Sequence, residues 1–142
     1  MAQSTSLQLA WLDGNIYSDE NKELLKKIRE INRDAMEFNE EEECLRFLGR
    51  GVGDPRRFIF IVSGALGEKM VPKIEEHQNV LSIYVYCGNR ARHVAWSKPY
   101  KKVDNYLNNV CFFLCPLLIQ VTVVTSAEEV LKGIKSDQDR FR

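Results

Sequence analysis

The sequence predicts a doubly wound α/β domain, a five-stranded parallel sheet with helices on both faces. Three observations predict it. Five strand-like runs alternate with helical stretches, which means βαβ units and therefore parallel pairing. The third run, Phe58-Ile59-Phe60-Ile61-Val62, is continuously apolar, as strands covered on both faces are. The chain has 142 residues, the length of one domain with an ordinary core.

Leu7 to Leu12 alternates and stops at Asp13-Gly14-Asn15, a strand followed by a turn. Ser18 then caps a helix with Asp19 and Glu20 in its first turn, where the helix dipole favours acids. Leu24, Leu25, Ile28 and Ile31 form its apolar stripe. Ala35 to Phe38 is a second, short strand. Asn39 is placed to cap a second helix opening with Glu40 to Glu43, an acid run that reads as a solvated first turn. Cys44, Leu45, Phe47 and Leu48 are its buried side, and Gly49 to Pro55 ends it in a loop.

After the third strand the chain turns at Ser63-Gly64-Ala65-Leu66-Gly67 and is expected to enter a helix near Glu68. Pro72 suits only the first turn of that helix, or kinks it. Val80 to Tyr86 is the fourth strand, with Leu81, Ile83 and Val85 alternating against Ser82, Tyr84 and Tyr86. It breaks at Cys87-Gly88-Asn89, and a short helix through His93, Val94 and Trp96 follows. Val121 to Thr125 is the fifth strand, and Ser126-Ala127-Glu128-Glu129 is a capping box opening the last helix. Right-handed crossovers favour the flavodoxin-like strand order 2-1-3-4-5.

Residues 103–120 do not fit this alternation. They hold one charged residue, Asp104, in eighteen, and the second half, Val110 to Ile119, is apolar without a period. Two readings stand. The segment is an apolar insertion before the fifth strand, packed on the domain or forming a dimer seam. Or it is a translated, unspliced intron. Val codons begin with GT, one Gln codon is CAG, and a Phe-, Leu-, Pro- and Cys-rich stretch is what a pyrimidine tract encodes. Excision joins Lys102 to Val121 and leaves a connection of normal length. On either reading residues 1–142 form a single domain.

Lys and Arg number 20 against 20 Asp and Glu, and this zero balance argues against a nucleic-acid binder and a polybasic membrane anchor. The longest apolar run is about half the ~20 residues of a membrane-spanning helix. The first six residues show no signal-peptide pattern. Of Cys44, Cys87, Cys111 and Cys115, only the last two are close together, and neither His77 nor His93 completes a ligand set, so no metal site is expected. Reduced thiols suit a cytoplasmic protein.

In doubly wound sheets ligands bind beyond the carboxyl ends of the strands, where the winding reverses. Three turns converge there and supply the candidate ligand-binding residues: Asp13 and Asn15; Ser63, Gly64 and Gly67; Gly88, Asn89 and Arg90. The Ser63 turn feeds a helix N-terminus, whose N–H groups suit an anion. It lacks the P-loop and dinucleotide fingerprints, and a plain strand-to-helix turn is the simpler reading. Arg90, Arg92 and His93 suit phosphate, but such residues more often form a solvated helix face.

The fold suggests phosphoryl-accepting receiver domains, whose chemistry needs clustered acids after the first strand, an acceptor Asp after the third and a Lys after the fifth. Here Asp13 stands alone, Ser63 ends the third strand and Thr125-Ser126 end the fifth, so phosphotransfer is not expected.

Two resemblances attach to these residues. Phe60 to Gly67, Val71-Pro72, Ser82 to Asn89, His93 and Trp96 together resemble a receiver-like module of invertebrate multidomain proteins, where it can precede arginine ADP-ribosyltransferase or tetratricopeptide-repeat regions. Ser18-Asp19-Glu20 and Ser63 resemble motifs of TIR domains. That resemblance implies NAD as an alternative cofactor and Glu75 as an alternative catalytic carboxylate. The Trp-Cys pair that precedes this Glu in NAD-cleaving members is replaced by Val71-Pro72. The expected function is non-catalytic signalling or interaction with a protein partner or a second copy. The alternatives are a NAD-cleaving hydrolase and a regulatory fragment of an ADP-ribosyltransferase.

Overall fold

The computed structural model describes residues 7–49, 56–74, 80–89, 91–96 and 120–140. In chain order the elements are β1 (Leu7–Leu12), α1 (Asp19–Ile31), β2 (Met36–Phe38), α2 (Glu41–Leu48), β3 (Arg57–Ser63), α3 (Gly64–Ile74), β4 (Val80–Tyr86), α4 (91–96), β5 (Gln120–Val124) and α5 (Ala127–Arg140). The strands form one all-parallel sheet in the order β2-β1-β3-β4-β5, the flavodoxin-like arrangement expected.

Strand alternation splits the core into two layers. Ala10, Leu12, Phe58, Phe60, Val62, Ile83 and Val85 meet α2 and α3 through Cys44, Leu48, Met70, Val71 and Ile74. Leu9, Trp11, Ile59, Ile61 and Tyr84 meet α1 and α5 through Leu24, Leu25, Ile28, Val130 and Ile134. The helices therefore cover both faces, and the continuously apolar β3 is buried from Phe58 to Val62.

Local signals set several boundaries. Ser18 caps α1 by accepting from the Asn21 N–H at 3.2 Å. The Glu129 N–H donates to Ser126 Oγ at 3.2 Å, while Glu129 Oε1 accepts from the Thr125 N–H at 2.8 Å, a capping box displaced by one residue. Arg29 donates from Nε and Nη2 to the Ala35 carbonyl and pairs with Glu37 at 2.6 Å. Ala35 thus lies just outside β2.

Four expectations are corrected. Helix α3 begins at Gly64, four residues before Glu68, because β3 runs into it with no intervening turn. Pro72 therefore lies near its C-terminal end. Asn39 does not cap α2: Glu40 holds that position without a side-chain cap bond. The fifth strand is shifted one residue, to Gln120–Val124. In β4 the expected alternation fails, since Ser82 and Tyr84 are buried and Leu81 is only half-buried.

The β4 result has a long-range cause. Tyr84 Oη donates to the buried Asp137 carboxylate on α5 at 2.6 Å. Gly133 makes room for the ring: a Cβ there would lie 2.6 Å from it. A polar tip with a partner 53 residues away lets β4 bury both faces. Asn32 and Gln138 tie the far end of α1 to α5 through a 2.9 Å bond.

No helix among the described residues is long and apolar enough to cross a membrane. Residues 103–119 lie outside the described residues, and Gln120 pairs in register with Ser82.

Candidate functional site

The described candidate residues end or follow β1, β3 and β4 at the carboxyl edge of the sheet, where the winding reverses between β1 and β3. Leu12 pairs with Val62, so Asp13 stands level with Ser63, and Ser63 pairs with Tyr86 of β4. Asp13, Ser63 and Tyr86 thus form one row across three neighbouring strands. The strand parity that directs Trp11, Ile61 and Tyr84 toward α1 and α5 directs this row to the same face.

Asp13 is buried, and the fold engages both of its carboxylate oxygens. Oδ1 accepts from the Asn15 N–H at 2.8 Å, an Asx turn, and Oδ2 accepts from the Asn21 amide at 3.4 Å. The same amide donates to the Asn15 carbonyl at 2.9 Å. The Asp13 N–H donates to Phe38 O, which anchors the loop to β2. The Asn15 side chain is exposed.

Ser63 is half-buried at the end of β3. The two glycines that follow are filled from α4. A Cβ on Gly64 would lie 2.3 Å from His93 Nε2, and one on Gly67 would lie 3.1 Å from Val62 and 3.5 Å from the Trp96 ring. His93 is itself buried, and its Nδ1 accepts from Trp96 Nε1 at 2.8 Å, which puts the neutral ring's proton on Nε2. Burial, reinforced by the Arg92 guanidinium and opposed by Glu68, holds its pKa below the usual imidazole value.

Gly88 and Asn89 are exposed, and Asn89 Oδ1 caps α4 by accepting from the Arg92 N–H at 3.1 Å. Arg90 and Glu75 lie outside the described residues, as do Cys111 and Cys115. Burial, with a contribution from Glu41, pushes the Cys44 thiol up to about 12, so it is protonated and inert at neutral pH. Among the described residues no three His, Cys, Asp or Glu side chains cluster as a metal site would require.

The alternation of the fourth strand sets Tyr86 on the face opposite Leu81, Ile83 and Val85 without marking it as a site residue, and nothing in that pattern singles out Asn21. Tyr86 is half-buried at the rim, its ring 6.2 Å from Trp11. Burial and then the Glu20 and Asp13 carboxylates raise its pKa, so it remains a neutral phenol, able to donate as well as accept. Asn21 had a local signal: it stands three residues after the Ser18 cap, where a capping side chain reaches back.

No family model, curated protein or solved structure matches the chain.

Proposed function

We propose that the chain is a non-catalytic signalling or protein-interaction domain of the receiver-like and TIR-like type. The observation that carries this reading is the state of Asp13. It is the one carboxylate that directly follows a strand on the row, and both of its oxygens are committed to shaping the β1–α1 loop. A carboxylate offers about four lone-pair sites, and these two local bonds orient it along the loop that it shapes. The neighbouring glycines admit the His93 and Trp96 rings, and Asn89 serves as a helix cap. Such a site spends its polar groups on holding loops in place, which suits a surface that is recognised by a partner.

Two measurements on the purified chain test this. Incubation with NAD should give no time-dependent consumption of the dinucleotide. Incubation with a small acyl-phosphate donor should give no mass increase. NAD turnover that Glu75→Gln abolishes, or one phosphoryl group added at Asp13, overturns the non-catalytic reading.

A further inference from the structure

A partner for the interaction domain is legible at its β2 edge, an assignment that rests on the interaction-domain reading. A groove of about 370 Å³ runs between α1 and the edge strand β2. Tyr17, Lys22, Leu25, Lys26, Arg29 and Glu37 line it. Arg29 and Glu37 neutralise each other, while Lys22 and Lys26, one helical turn apart and exposed, form no ion pair among the described residues. Tyr17, 55% exposed, stands at the head of the groove, and Leu25 supplies apolar floor. The groove is therefore cationic with an aromatic rim, and it fits a carboxylate-bearing partner.

The chain carries such a partner. Glu40, Glu42 and Glu43, at the start of α2, are exposed and form no ion pair among the described residues, while Glu41 is held by Lys73. Both patches border the β2 edge, which pairs only with β1 among the described residues. They lie on opposite faces of the sheet, α1 against one core layer and α2 against the other.

We propose that two copies associate across the β2 edge, each acidic first turn of α2 facing the Lys22–Lys26 groove of the other copy. A two-fold axis lying in the sheet plane and parallel to the strands exchanges the two faces. It sets α1 of one copy beside α2 of the other. It also preserves height along the strands, and both helices start at the carboxyl edge, so Lys22 and the glutamates meet at one level. The contact is isologous and closes as a dimer. Zero net charge removes any overall repulsion between copies.

The test is sedimentation velocity and light scattering of the full chain over a concentration series at low and high salt. Wild type should dimerise, less so as salt rises, because rim charges are screened. Lys22→Glu/Lys26→Glu and Glu42→Lys/Glu43→Lys should each weaken self-association by about tenfold or more. Mixed one to one, the two variants should form a heterodimer, since each reversed patch then meets its complement. That rescue also shows that both variants are folded. A wild type that stays monomeric at low salt, variants that associate like wild type, or an inert mixture overturns the proposal. A monomer that binds polyglutamate through Lys22 and Lys26 overturns it too, and assigns the groove to a foreign acidic partner. NAD consumption is a separate readout, so failure of the dimer and failure of the non-catalytic reading remain distinct.

Discussion

Gly64→Ala is the sharpest probe of what the glycines at the β3–α3 junction do. The new Cβ would lie 2.3 Å from His93 Nε2, 2.6 Å from Cε1 and 2.8 Å from Cδ2. Real carbon contacts do not reach these distances, so the imidazole must move. It cannot move freely, being buried and bonded to Trp96 at 2.8 Å. Overpacking of this kind costs about 1–3 kcal/mol. Loss of the indole–imidazole bond adds about 0.5–1.5 kcal/mol. Better helix propensity returns at most about 1 kcal/mol, and less at a first helical position. The net loss should be about 2 kcal/mol, a fall of roughly 5–8 °C in Tm for a domain of this size. The assay is urea and thermal unfolding of the wild type, Gly64→Ala, His93→Ala and the double variant. Removing the imidazole should absorb most of the alanine's cost, giving a coupling of about 1 kcal/mol or more. Gly14→Ala and Gly88→Ala, whose new Cβ atoms meet nothing within 4 Å, should stay within about 0.5 kcal/mol of wild type. An unchanged Tm for Gly64→Ala, or an equal loss with and without His93, would refute this packing argument.

Three further outcomes are expected. His93 has its pKa lowered below 6.5 in the fold, so the unfolded chain binds more protons between the two values. Its contribution to stability is complete above about pH 6.5 and is lost as pH falls through that window; urea midpoints between about pH 7.5 and 5.5 should drop more for wild type than for His93→Gln. Tyr84→Phe removes the donor to the buried Asp137 carboxylate and should cost about 1.5–3 kcal/mol in urea unfolding at pH 7, the range for a bond to a charged group. A chain lacking residues 103–120 should keep its circular dichroism and one cooperative transition, because Lys102 then takes the strand position that Gln120 holds opposite Ser82, and a backbone pairing accepts either residue. The matching transcript should read from Lys102 directly to Val121. A mature transcript with all eighteen codons, together with an unfolded deletion variant, would remove the intron reading.

The sequence by itself determined the strands, their parallel pairing and their order. These follow from the alternation of short apolar runs with helical stripes and from the handedness of crossovers, both written in local periodicity. The Ser18 cap and the Ser126–Glu129 box were legible for the same reason, since their partners lie within four residues. The start of α3 was not legible, because Gly64 and Gly67 read as turn residues until α4 is placed against them. Their small size is required by rings 29 residues further along the chain. The burial of Ser82 and Tyr84 was hidden likewise, because a tyrosine reads as outward-facing unless Asp137 and Gly133 are known to lie over it. The candidate site shows the same division. Its row at the carboxyl edge follows from strand order, which the sequence contains. Whether the Asp13 oxygens are free or engaged depends on where Asn15 and Asn21 come to rest around them, a matter of ångströms in three dimensions that only tertiary structure decides.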